Sequence, residues 1–241
     1  NSRKMILVHG WTGSKELWNS FAPKLAENDI DVVSYDLRGG GDSDKPKGEY
    51  THEIFSKDLY ELSKHLKWDK FILQGQSMGG YIVLDYALRY PETLEKIIPS
   101  NTSVYLSRNF FSKLTWKIIV RMYRKNPPKM MKKMTPSFFQ FPVEQELIDE
   151  FIEMSLKTDP EAGLKAIKEC LNRNLEPELH KIQTPALVVS SEFDMKSLRK
   201  ATLEVHKQLP NSQLADIKNT GHLPFMENPD DLLKAILDFI D

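Results

Sequence analysis

A single cysteine, Cys170, excludes an internal disulfide in this 241-residue chain. One lone thiol suits a reducing compartment. No apolar run approaches the ~20 residues that a membrane-spanning helix needs, and no signal-peptide pattern is visible. The expectation is therefore a cytoplasmic chain, although it begins at Asn1 rather than Met. Strong net charge is also missing. Thirty-three Lys and Arg against 34 Asp and Glu give −1, so bulk electrostatics draw in no nucleic acid or other polyanion. There is no Cys–His cluster, no H-E-x-x-H and no phosphate-cradling glycine loop, so the sequence implies no metal and no organic cofactor. Internal repeats and low-complexity tracts are absent too. What is present is ordinary globular material: 40% hydrophobic and 28% charged residues, in a chain long enough to bury a large core without staples.

The patterning alternates between two periods. Short unbroken apolar runs at residues 5–8, 32–35, 71–73, 94–98 and 186–189 suit strands buried on both faces of a parallel sheet. A further strand is expected at 213–217. Between them lie amphipathic stretches: Leu17, Trp18, Phe21 and Leu25 behind the cap candidate Ser14, then 51–66, 81–90, 197–209 and 229–240. Strand–helix alternation calls for a parallel α/β sheet with right-handed crossovers. From about Asn101 to Gln183 the rhythm stops. That stretch is helical, rich in Met, Phe and Lys, and broken by Pro127-Pro128, Pro136 and Pro142. The organisation expected is one core, residues 1–101 and 184–241, with a helical cap at 102–183.

The chemistry concentrates at strand ends. Gly75-Gln76-Ser77-Met78-Gly79 is G-x-S-x-G between a strand and a helix. There a serine hydroxyl projects from a tight, strained turn, and glycines two residues either side let backbones pass closely. The following helix aims its free N–H groups at the reacting centre, so the Met78 N–H can stabilise an oxyanion. The pattern alone is common; its strand–turn–helix setting is what makes it informative. A lone serine needs a base. His222, in Gly221-His222-Leu223-Pro224 directly after the last strand, is placed for that role, whereas His52, His65 and His206 lie in helical patterns. An acid should follow the 186–189 strand; both Glu192 and Asp194 qualify, and Asp194, further past the strand end where a loop can turn it toward His222, is preferred. His9-Gly10-Trp11 ends the first strand, where the Trp11 N–H would complete the oxyanion hole opposite Met78.

Taken together, these segments resemble the α/β-hydrolase superfamily in its esterase, lipase and non-haem haloperoxidase-like branch. The markers are His9-Gly10-Trp11, Asp36-Leu37-Arg38-Gly39-Gly40-Gly41-Asp42-Ser43, Gly75 to Gly80, Ser191-Glu192-Phe193-Asp194, and Gly221-His222 with Glu227-Asn228-Pro229 behind. The resemblance implies the α/β-hydrolase fold, a Ser77–Asp194–His222 triad, and two antiparallel strands ahead of Met5. Without those strands, residues 32–35 become a sheet edge. The chain departs from the family in having Gln76, not His, before the nucleophile. A serine at position 77 argues against the aspartate-using dehalogenase and epoxide hydrolase relatives.

The resemblance makes the 102–183 insertion a lid. Met122, Met134, Phe138, Phe139 and Leu223 are candidate pocket residues, because flexible Met side chains line irregular apolar sites, although packing of the cap on the core explains most of the Met and Phe content. Between Glu95 and Glu144 there is no acidic residue, yet Arg108, Lys113, Lys117, Arg121, Arg124, Lys125, Lys129, Lys132 and Lys133 occur there. A solvated helix face is the plain explanation; contact with an anionic membrane surface is the alternative. The expected activity is hydrolysis of carboxylic esters with an apolar acyl part through an acyl-enzyme, with a small-molecule ester as partner. The same triad could serve other acyl or C–C hydrolysis or perhydrolysis, and a member of the fold that only binds a ligand is the non-enzymatic alternative. The sequence leaves oligomeric state open.

Overall fold

The computed structural model describes residues 2–142 and 144–241. Six strands, β1 (Arg3–Val8), β2 (Ile30–Tyr35), β3 (Phe71–Gln76), β4 (Leu94–Ser100), β5 (Ala186–Ser191) and β6 (Ser212–Ile217), form one parallel sheet in the order β2-β1-β3-β4-β5-β6. Every apolar run read as a strand is one. Side chains alternate across the sheet. Ile6, Val8, Leu73 and Val188 join one core, while Met5, Leu7, Ile72 and Val189 join the other. Within the described residues β2 is an edge strand, and its middle is only half-buried.

Helices α1 (Ala22–Ala26) and α9 (Pro229–Ile240) carry residues of the second core; α2 (His52–His65), α3 (Met78–Arg89) and α8 (Lys196–Gln208) carry residues of the first. The single helix expected through residues 17–25 is two pieces. Ser14 caps a 3-10 turn over Lys15–Trp18, accepting from the Glu16 N–H at 3.3 Å, and α1 then restarts at Ala22 with Pro23 in its first turn. Proline lacks the N–H that a continuous helix would use. Trp18, Phe21 and Leu25 are buried all the same.

Between β4 and β5 the chain is helical, as expected: α4 (Phe110–Lys125), α5 (Pro127–Met134), α6 (Gln145–Leu156) and α7 (Pro160–Asn172), with 3-10 turns at Thr135–Phe138 and Glu176–Lys181. Pro127 opens α5 and Pro136 lies in a 3-10 turn, so these prolines start elements rather than interrupt them. The insertion is fastened to the core at several points. Arg173 pairs with the fully buried Asp85 at 2.8 Å, the Asp159 N–H donates to the Gly39 carbonyl at 2.8 Å, and Trp11 Nε1 donates to the Gly163 carbonyl at 2.8 Å.

The strand order reverses at β1. The chain steps from β1 to β2 on one side, then crosses back to β3 and proceeds outward. A parallel sheet opens a crevice at the carboxyl ends of such strands. The loop His9–Thr12 leaves β1 there, and Ser77 leaves β3 beside it.

Candidate active site

Ser77 has φ 57° and ψ −116°, a left-handed conformation that costs a non-glycine residue about 1–3 kcal/mol. The surroundings hold it there. Its N–H donates to the Ser100 carbonyl at 2.9 Å, and its carbonyl accepts from Thr102 Oγ1 at 2.7 Å. The flanking glycines are required by crowding: a Cβ on Gly79 would lie 2.3 Å from the Val8 carbonyl oxygen, and one on Gly75 would lie 2.3 Å from that of Gly79. The turn therefore docks directly on the end of β1.

His222 and Asp194, 28 residues apart, meet across the ends of β5 and β6. His222 Nδ1 lies 3.1 and 3.2 Å from the two Asp194 oxygens. A carboxylate only accepts, so Nδ1 carries the hydrogen, and in the neutral ring this tautomer leaves the lone pair on Nε2. Asp194 is held by a 2.7 Å bond from the Met195 N–H. Glu192 is directed elsewhere, accepting from the Asn219 N–H at 3.2 Å and facing Lys218 at 3.9 Å. Among the described residues no hydrogen bond joins Ser77 to the imidazole, but both side chains line one cavity.

The backbone of His222 is fixed from three sides. Its N–H donates to the Phe138 carbonyl at 2.6 Å, and its carbonyl accepts from Gln76 Nε2 at 2.5 Å and Asn101 Nδ2 at 2.9 Å. Gln76 thus secures the histidine loop from within the elbow itself. Glu227 clamps the same loop to the insertion, accepting from the Gly221 and Gln140 N–H groups, each at 2.7 Å. No side chain fits at Gly221, where a Cβ would lie 2.5 Å from the Phe138 oxygen. Neither Asn101 nor Glu227 was assigned a part from sequence. Their signals were slight: Asn101 marks the end of the strand–helix rhythm, and Glu227 follows His222 within the family marker. Glu227→Gln can keep at most one of its two acceptor bonds and should cost about 2 kcal/mol, ~4–8 °C in Tm, with kcat lowered about tenfold. Thermal melting and turnover of the purified variant check both.

His9 supports the loop after β1. Its Nδ1–H donates to the Gly10 carbonyl at 2.8 Å, and Nε2 accepts from the Leu37 N–H at 3.0 Å. Burial holds its pKa below the usual histidine range, and only the neutral ring can make both bonds. Among the described residues the Trp11 and Met78 N–H groups have no hydrogen-bond partner. A cavity of about 340 Å³ opens in front of them, lined by Gly10, Trp11, Ser77, Met78 and His222.

Of the candidate pocket residues, Met134, Phe138 and Leu223 line that cavity. Met122 and Phe139 do not. Ser112, Trp116 and Ile119 form the inward face of α4, and Met122 falls off that face onto the cluster of Tyr123, Met130 and Met131. Phe139 stacks edge-on against Phe151, 5.7 Å between ring centres. Their places are taken by Trp116, Ile119, Met131 and Met154; the i, i+4, i+7 spacing of Ser112, Trp116 and Ile119 was the readable sign of that face. No Asp or Glu is among the described lining residues, whereas Arg108 and Lys200 are. Deeper in the wall, Cys170 lies 3.3 Å from His52 Nε2. Burial pushes its thiol pKa well up, which keeps it a neutral thiol and a poor nucleophile. Among the described residues no group of three or more His, Cys, Asp or Glu is placed to hold a metal, and no helix is long and apolar enough to cross a membrane.

A parallel sheet with an elbow serine, a carboxylate-bound histidine and a shared apolar cavity defines a hydrolase of α/β architecture. The alpha/beta hydrolase fold family matches residues 4–161, and the chain belongs to that family. It is 28% identical to an uncharacterised hydrolase of Bacillus subtilis, over 98% of this chain and 89% of the relative. It is 27% identical to a proline iminopeptidase of Saccharolobus solfataricus, over 100% and 86%. A thermophilic esterase from Thermogutta terrifontis superposes with a TM-score of 0.87 at 28% identity, covering 100% of this chain and 90% of that one.

Proposed function

We propose that this protein is a serine hydrolase that cleaves carboxylic esters with an apolar acyl part through an acyl-enzyme. His222 Nε2 takes the proton of Ser77 Oγ as the hydroxyl attacks the ester carbonyl, and Asp194 holds the ring in the tautomer that can do so. The Trp11 and Met78 N–H groups receive the developing oxyanion, a pair of donors in which each is worth about 3 kcal/mol to the transition state. Expulsion of the alcohol, protonated by His222, leaves an acyl-Ser77. Water activated by the same imidazole then releases the acid.

The observation that carries the substrate class is the wall of the cavity. Trp116, Ile119, Met131, Met134, Phe151 and Met154 surround it, with no carboxylate among the described lining residues. A substrate ammonium there would be desolvated without a counter-charge, which is costly. This disfavours a free amino terminus, the substrate type suggested by the iminopeptidase relative, and favours an uncharged acyl chain. A panel of p-nitrophenyl esters tests it. The expected result is a kcat/KM that rises about fourfold per methylene until the cavity is filled, as ~0.8 kcal/mol per buried CH₂ requires, with proline p-nitroanilide not turned over. A flat profile, or preference for the aminoacyl substrate, would overturn the reading.

A further inference from the structure

The outer face of α4 does not look like a solvated helix. Phe110 is 73% exposed, Phe111 77%, Leu114 47% and Ile118 53%. At 100° per residue these four fall on one stripe, opposite the inward Ser112, Trp116 and Ile119. The stripe is therefore not surplus core surface turned outward by accident of packing, since the core-facing side of the same helix is already supplied. Lys113, Lys117, Arg121, Arg124 and Lys125 are also exposed on this helix, and none forms an ion pair among the described residues. Lys129, Lys132 and Lys133 of α5 extend the basic surface.

The position of the stripe matters as much as its composition. Arg108 and Asn109, immediately before Phe110, are exposed and line the cavity, as do the exposed Met195, Ser197 and Lys200. These residues mark where the cavity reaches solvent. The exposed apolar residues thus begin at the mouth of the cavity, and the cations continue away from it along the helix.

We infer that this face of α4 seats the protein on an anionic lipid surface, with Phe110, Phe111, Leu114 and Ile118 entering the headgroup boundary and the Lys and Arg side chains meeting acidic headgroups. Two observations select a bilayer over a protein partner. On α4 and α5 the charge is of one sign, with no acidic residue from 96 to 143 in the sequence, so these two helices are complementary to an anionic plane rather than to a mixed protein surface. The aromatic and aliphatic groups also stand beside the entrance of an apolar cavity, which gives a lipid-dissolved acyl chain a route that avoids water. Docking does not depend on the chemistry proposed for Ser77, so binding and turnover are read separately.

The test is co-sedimentation of the purified protein with phosphatidylcholine vesicles, with and without about one third phosphatidylglycerol. Binding to the anionic vesicles is expected, weakening as salt rises to about 0.5 M. Phe110→Ser/Phe111→Ser/Leu114→Ser should lower partitioning about tenfold or more while leaving hydrolysis of a short, water-soluble ester unchanged. Lys113→Glu/Lys117→Glu/Arg121→Glu should remove the preference for phosphatidylglycerol, and it decides the matter if the apolar variant folds poorly. Absence of binding to anionic vesicles, or equal binding by both variants and the parent, overturns the inference. So does a dimer in sedimentation velocity that the apolar triple variant abolishes, because the stripe would then be covered by a second copy of the chain.

Discussion

Ser77→Ala is expected to reduce ester turnover by about 10⁴-fold or more, with circular dichroism unchanged. The size of the effect follows from what remains. Alanine retains the elbow, the two N–H donors and the cavity, so binding and part of the electrostatic stabilisation survive, but no acyl-enzyme can form. The same variant should take up no fluorophosphonate, and His222→Ala should label far more slowly than the parent because the hydroxyl has lost its proton acceptor. Mass spectrometry of the labelled protein reads both. Strain offers an independent check on the elbow. Ser77 sits at φ 57°, a conformation that glycine adopts without penalty, so Ser77→Gly should be as inactive as the alanine variant yet more stable than it by ~1 kcal/mol. If Ser77→Ala keeps substantial activity, another group is the nucleophile.

Asp194→Asn should lower kcat by ~10³- to 10⁴-fold, and the local hydrogen bonds say why. The Met195 N–H donates to Asp194 Oδ1 at 2.7 Å. In the amide, the carbonyl oxygen must stay at that position to keep the bond, which puts the NH₂ group at the other site, 3.2 Å from His222 Nδ1. An NH₂ there donates to Nδ1 and moves the ring hydrogen to Nε2, leaving no lone pair to accept the serine proton. Glu192→Gln changes a group that faces Lys218 and the Asn219 N–H, so turnover should stay within about twofold of the parent. Steady-state kinetics on one ester distinguish the two acids; equal losses, or a larger loss at Glu192, would reassign the carboxylate.

The centre of the sheet was legible because β1, β3, β4 and β5 are buried on both faces over most of their length and therefore advertise themselves as unbroken apolar runs. The placement of Ser77 and Asp194 at strand ends was legible for the same reason, since each lies a short step beyond such a run; His222 follows the less buried β6. The choice of Asp194 over Glu192 rests on its place further past the strand end and on the family resemblance, not on any apolar pattern. Both follow β5, and only the turn that bonds the Asp194 N–H to the Ser191 carbonyl at 3.3 Å decides which carboxylate points inward. The pocket was legible in composition but not residue by residue. Met122 and Phe139 have the right chemistry, yet the helix phase of α4 sends one onto α5, and the extended backbone at Phe139 sends the other onto Phe151. Asn101 and Glu227 act through backbone groups, which leave no hydrophobic period to read. The break between Trp18 and Ala22 was not legible, because Leu17, Trp18, Phe21 and Leu25 keep the spacing of one helix face while Pro23 sits in the first turn of the second piece.

The bond from the His222 N–H to the Phe138 carbonyl limits how freely the protein can be rebuilt. An insertion between two strands would ordinarily be exchangeable, with specificity moving along with it and the reactive groups left behind. Here one peptide of the insertion is part of the scaffold that aims the imidazole, and Glu227 ties the neighbouring peptide to the same loop. A chimera carrying a foreign insertion would lose both supports at once. Specificity can therefore be altered here by substitutions within α4 and α5, whereas wholesale replacement of residues 102–183 would impair the chemistry it was meant to redirect.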